Sequence, residues 1–198
     1  MLTVNETLRM QALNPTLWRT CKMLTGQTRL RLLRLLVACP EECVSALGKR
    51  VGIKPSAASQ ELRRIQSRGL LRADRHGVHL IYRPAADPQV ASAAPLLKAI
   101  QSACAVFPPE RDGDMAVIAA GLSHERRIQI VRALLGGSLA MSDLQSAVRI
   151  PDHPFHAHLA TLLDSGFVTR SQNRLQFAVP NHPLAKALVK LLRQGVAR

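Results

Sequence analysis

Residues 42–71 read ECVSALGKRVGIKPSAASQELRRIQSRGLL. The spacing predicts a short helix over 43–51, a tight left-handed turn at Gly52 and a second helix over 55–68. Pro55 suits the first helical position because its missing N–H has no partner to lose there. Gly69 is placed to stop the second helix. Within that helix Ala58, Leu62 and Ile65 fall on one face, whereas Ser56, Ala57, Ser59, Gln60, Arg63 and Arg64 lie elsewhere. Gly48 is the small residue that lets the two helices cross closely.

The flanking sequence completes a unit. Upstream, a short helix is expected over 5–13, capped by Asn5, and another from Pro15 to about Leu24. Thr25 is read as the N-cap of a helix over 26–38, with Leu30, Leu33 and Val37 on one face and Arg31 and Arg34 on another; Pro40 ends it. Downstream, LLRADRHGVHLIYRP (70–84) reads as a β-hairpin turning around Arg75-His76-Gly77, with Val78, Leu80 and Tyr82 alternating with His79, Ile81 and Arg83.

The chain then repeats this pattern. LTGQTRLRLLRLL (24–36) aligns without a gap on LSHERRIQIVRAL (122–134), pairing Leu24 with Leu122, Arg29 with Arg127 and Arg34 with Arg132. After a one-residue slip Leu47 meets Leu144, Ile53 meets Ile150 and Gly69 meets Gly166. A unit of this length is too long for a solenoid repeat and reads as a duplicated domain. Helices are expected over 123–135, 142–148, 153–165 and 183–194, with a hairpin over 167–179 tipped near Asn173. Residues 95–106 read as a helix starting at Pro95. The breakers Pro108, Pro109 and Gly113 mark a connector. The expected organisation is a first domain over 1–106, a linker over 107–114 and a second domain over 115–198.

Composition narrows the function. The chain has 198 residues, 47% of them hydrophobic but only 3% aromatic, so its core is aliphatic. The formal net charge of +14 favours a polyanionic partner, nucleic acid or an acidic membrane surface. Residues 1–100 hold 16 Lys/Arg against 6 Asp/Glu, and residues 101–198 hold 11 against 7, so the excess lies mostly in the first unit. That imbalance favours nucleic acid. No signal-like start and no apolar run of the ~20 residues a membrane span needs are present, so a cytoplasmic chain without a membrane partner is expected. The thiols Cys21, Cys39, Cys43 and Cys104 are then expected to be reduced. No nucleophile elbow, phosphate-binding glycine loop or HExxH occurs, so neither an enzyme nor a cofactor is expected.

MLTGQTRLRLLRLL, then residues 42–71, then a hairpin resemble the ArsR-type winged-helix regulators, bacterial repressors that often sense metals. LSHERRIQIVRALL (122–135) has the same character. The resemblance covers about 150 of the residues. The fold class it implies is mainly α with small β-hairpin wings, in two tandem winged helix-turn-helix domains, and the implied function is reading double-stranded operator DNA, with repression the expected sign. Helix 55–68 would then be the recognition helix. Ser56, Ala57 and Ser59 let its backbone approach base edges, Gln60 is suited to adenine, and Arg63, Arg64 and Arg68 to phosphate or guanine. The wing would offer Arg72, Arg75, His76, His79 and Arg83.

The resemblance also bears on the thiols. Cys43 stands where metal-sensing relatives carry a cysteine before the first helix of the motif, with Cys39 four residues away. Such a pair can bind soft metal or form a disulfide. However, Ser45 replaces the family's second cysteine, and the carboxylate–histidine pattern expected on the last helix is missing from 95–106 and 183–194. Cys39 and Cys43 are therefore either sensor thiols or incidental ones.

The second unit departs from the first. Gly52 becomes Arg149, removing the permissive turn residue. Gly48 becomes Gln145, Ala58 becomes Phe155, Gln60 becomes Ala157, and Arg63, Arg64 and Arg68 become Ala160, Thr161 and Ser165. Its His153, His156 and His158 lack a completing ligand set, so no metal site is expected. This unit reads as degenerate, serving dimerisation, interaction or effector sensing. Assembly is open between a pseudo-dimer within one chain and a homodimer through the N-terminal helices and 95–106. The alternative function is an interaction module for an acidic protein or nonspecific nucleic acid.

Overall fold

The computed structural model describes residues 17–195. The expected helix over 5–13 and the Pro15 helix start lie outside the described residues. The chain is mainly helical with two small antiparallel sheets. In order, the first half holds α1 (Leu17–Leu24), α2 (Gln27–Ala38), β1 (Glu42–Cys43), α3 (Val44–Val51), α4 (Pro55–Gln66), β2 (Leu71–His76), β3 (His79–Pro84) and α5 (Ala93–Val106). The second half holds α6 (Asp112–Gly121), α7 (Glu125–Leu134), β4 (Leu139–Ala140), α8 (Met141–Val148), α9 (Asp152–Asp164), β5 (Val168–Ser171), β6 (Arg174–Phe177) and α10 (Pro183–Arg193). The order of elements is the same in both halves, and so is the order in the sheets, β1-β3-β2 and β4-β6-β5.

Local rules explain the first half closely. Gly52 closes α3 at φ 78°, ψ 34°, and Pro55 opens α4 behind Lys54. A Cβ on Gly48 would lie 3.0 Å from the Ile53 carbonyl and 3.3 Å from the Ala58 Cβ, so α3 and α4 cross closely and a side chain there would push its neighbours aside. Ala58, Leu62 and Ile65 are the buried face of α4.

Three readings need correction. Thr25 is not the N-cap of α2; that position is Gly26, and the Thr25 hydroxyl instead donates to the Lys22 carbonyl at the end of α1. Although the permissive glycine is gone in the second half, Arg149 takes the same αL turn at φ 51°, ψ 38° despite its Cβ. The helix read from Pro95 begins two residues earlier, at Ala93. Val78, read as alternating with the apolar face of its strand, is 90% exposed at the hairpin tip. Helix α6 was not anticipated at all, and it begins inside the segment 107–114.

The two halves share one core. Helix α5 packs along α10, and α6 packs on both α1 and α2. The buried residues of α5 include Leu96, Leu97 and Ile100, and those of α10 include Leu184, Leu188 and Leu191. Each such leucine contributes about 1.5–3 kcal/mol when fully buried. At the end of α5, Phe107 stacks on His182, with centroids 5.0 Å apart. The His182 imidazole in turn accepts the Leu184 N–H and caps α10. One ion pair also crosses between the halves. Arg34 on α2 donates from Nε (2.8 Å) and Nη2 (2.6 Å) to Asp112 Oδ1, and from Nη1 to the Cys104 carbonyl (3.1 Å). Both side chains are largely buried, at 14% and 6% exposure. Among the described residues no helix is long and apolar enough to cross a membrane.

Removing one partner of a buried pair strands the other charge, which costs about 3–5 kcal/mol. Asp112→Ala is therefore expected to lower stability by that amount in denaturant melts, whereas Arg31→Ala, an exposed neighbour on α2, changes little. Equal, small effects would show that Arg34 is solvated and the halves are not pinned there.

Candidate nucleic-acid interface

On a helix, positions i, i+4 and i+7 share a face. Ser56, Gln60 and Arg63 therefore line up on α4 opposite its buried stripe, and all three are exposed. Arg64 flanks them and is exposed, but its Nη1 pairs with Glu61 at 2.6 Å. Ala57, Ser59 and Arg68 are half-buried. Arg63 stands beside the buried Tyr82 hydroxyl of β3. Burial pushes that phenol's pKa up, and the Arg63 charge opposes the shift.

The hairpin projects Arg72, Arg75, His76 and His79 into solvent around the Gly77-Val78 turn. Arg83 is less available than the sequence suggested: its Nε donates to Asp74 across the strands at 2.9 Å. Among the described residues Arg63, Arg72 and Arg75 have no carboxylate partner. Uncompensated guanidinium groups are thus exposed on α4 and on both faces of the adjacent hairpin.

The thiols separate. Cys21 is fully buried, and that burial raises its pKa to about 12. Cys43 caps α3 and is half-buried; its sulfur lies 3.2 Å from Ser45 Oγ. That contact, helped by the Ala46 N–H, holds its pKa below the ordinary thiol value. Cys39 is exposed against Arg50, which also pairs with Glu42. Because Cys43 registers with Ile81 on β3, the cysteine is tied to the hairpin through the sheet.

The equivalent surface in the second half differs. Helix α9, DHPFHAHLATLLD, has no Lys or Arg, and its ends are acidic. Gln145, standing for Gly48, bridges to Asp152 at 3.0 Å. The three histidines diverge: His153 is exposed, His156 pairs with Asp152 (3.2 Å), and His158 meets His124 with centroids 4.4 Å apart.

Sequence reasoning missed one consequence of the repeat. In the first half the Arg29 guanidinium folds over Gly26, donating to the Met23 carbonyl and to Glu61 (2.7 Å). A Cβ on Gly26 would sit 2.3 Å from that guanidinium. In the second half His124 replaces Gly26 and His158 replaces Glu61. The equivalent Arg127 is denied both the path and the carboxylate. It keeps one contact to Ser123 Oγ (2.8 Å), and its buried Nε has no partner. The substitution pairs Gly26/His124 and Glu61/His158 were visible in the alignment, although their adjacency was not. Burial, reinforced by His124, Arg127 and Arg126, depresses the His158 pKa to about 4. His124 is depressed too, by burial and then by Arg127 and Arg126.

Comparison with family models, with curated proteins and with solved structures returns no match.

Both imidazoles are held neutral when folded, whereas an unfolded histidine binds its proton near pH 6.5. The folded state therefore binds fewer protons in this range, and stability falls as pH drops from about 6.5 toward 4. His158→Glu returns a carboxylate to Arg127. It is expected to raise Tm at neutral pH by roughly 2–4 °C, the shift that ~1 kcal/mol gives at this size, and to remove much of the acid sensitivity. A lower Tm at neutral pH would show that Arg127 needs no anionic partner.

Proposed function

We propose that this chain is a DNA-binding regulator built from two winged helix-turn-helix units, as its resemblance to ArsR-type regulators implies. Helix α4 enters the major groove, and the β2–β3 hairpin acts as the wing. The observation that carries this reading is the exposed pair Gln60 and Arg63 on α4, with Arg72 and Arg75 exposed on opposite faces of the adjacent hairpin. None of these arginines has an acidic partner among the described residues, and α4 is mounted on a close crossing at Gly48. Gln and Arg are the side chains that read adenine and guanine edges bidentately. Flanking arginines and the hairpin supply phosphate or minor-groove contacts that set register.

The second unit works as the first unit's partner rather than as a second reader. Helix α9 offers histidines, alanines and acidic ends, which suit neither phosphates nor base edges. The faces of α1 and α5 that a second chain would need are covered by α6 and α10. We therefore read the protein as a pseudo-dimer within one chain.

The test is selection of bound sequences from a random duplex pool, followed by titration of the enriched duplex against excess random competitor. One lost base contact costs roughly 1–3 kcal/mol, about five- to a hundred-fold or more. Gln60→Ala with Arg63→Ala is expected to remove the preference for the enriched duplex, while His153→Ala with His156→Ala keeps it. Affinity should fall steeply with salt, because neutralised phosphates release counterions. No enrichment, or binding abolished by random competitor, would favour a nonspecific or protein-binding module instead.

A further inference from the structure

A cavity of about 320 Å³ opens between the α1–α2 corner and the C-terminal end of α4. Five cations line it: Arg19 and Lys22 from α1, Arg29 from α2, and Arg64 and Arg68 from the end of α4. One carboxylate, Glu61, serves both Arg29 and Arg64, at 2.7 and 2.6 Å. Arg19, Lys22 and Arg68 have no acidic partner among the described residues. Arg19 lies 5.1 Å over the Trp18 ring, which shields it without neutralising it. Arg68 is half-buried; burial, and then repulsion from Arg19, lowers its pKa.

We propose that this cavity binds a small phosphate-bearing molecule. Three physical arguments support the assignment. Guanidinium forks match the oxygens of a phosphate and bind it in bidentate fashion. The excess of several positive charges over one carboxylate calls for a multiply charged group rather than a single carboxylate. The volume lies at the small end of ligand pockets, which fits a compact anion and a short organic tail.

The repeat supplies an internal control. The positions aligned with Arg19, Lys22, Arg64 and Arg68 are Val117, Ala120, Thr161 and Ser165. The second unit builds the same element order without these cations, so the architecture does not require them. The cavity is also displaced along α4 from the proposed reading face. Ser56 lies in the first turn of α4, whereas Arg68 follows its last residue, Gln66, which is ten residues or about 15 Å of helix away. Arg64 borders both regions, so an occupant of the cavity would compete for a side chain beside Gln60 and Arg63. The ligand would then be a regulator of the reading helix, but binding itself does not rest on the DNA reading.

The test is calorimetric titration of the full chain with pyrophosphate at constant ionic strength, alongside titration with a random duplex. One-to-one saturable binding is expected, weakened about tenfold by Arg68→Ala and by Arg19→Ala, with Lys186→Ala within twofold of wild type. Arg19 is exposed, so its variant keeps the fold even if Arg68→Ala lowers the melting temperature. Duplex affinity of Arg19→Ala should stay within twofold of wild type. Absence of saturable heat, or unchanged binding in both arginine variants, overturns the proposal. So does a parallel loss of duplex and pyrophosphate affinity in Arg19→Ala, which would make the cavity a contact for the DNA backbone. A protein that binds pyrophosphate as described but no duplex would keep this inference and remove the DNA reading.

Discussion

The pairing of the two halves rests on apolar burial along α5 and α10 and around α6. Without it, α5 would expose Leu96, Leu97 and Ile100, and α10 would expose Leu184, Leu188 and Leu191. The Arg34–Asp112 pair adds direction to this otherwise nondirectional contact. A buried fork-shaped pair tolerates little rotation, so it sets how α2 meets α6. The placement of α4 and its hairpin follows, because α2 packs on α4 and β3 within the same half.

The two halves differ more on their surfaces than in their cores. Fold-determining positions were kept: Leu47 and Leu144, Ile65 and Leu162, and the left-handed glycines Gly69 and Gly166 are buried or turn positions in both. Surface positions diverged. Helix α4 retains arginines and glutamine, whereas α9 carries histidines and acidic ends. Where divergence reached the interior it left a cost. Arg149 occupies a left-handed turn made for glycine, and Arg127 keeps a buried Nε without an acceptor.

Much of this was legible in the sequence where local physics decides. Gly52, Pro55 and Gly69 each have a steric reason for their position, and helices α3 and α4 follow from them. The repeat then located the second set. Helix α6 escaped because DGDMAVIAAG has no clean polar stripe. It is contacted by α1, α2, α9 and α10, and a helix surrounded on several sides does not show one. The Thr25 cap failed because two helices meet at that corner, and the hydroxyl served the earlier one. Of the interface, the exposed face of α4 was readable from periodicity. The basic cavity was not, because it gathers residues 19–68 from three helices whose relative placement no spacing rule specifies. The Arg34–Asp112 pair, 78 residues apart, was invisible for the same reason.

We propose that one chain contains both members of the pair. The most direct measurement is the molar mass of the protein bound to its enriched duplex, by light scattering or sedimentation, over a range of protein concentrations. A complex holding one 21.7 kDa chain per duplex is expected, with no further mass as concentration rises. A complex holding two chains per duplex at the lowest concentrations that bind would contradict it and return pairing to the contact between separate chains.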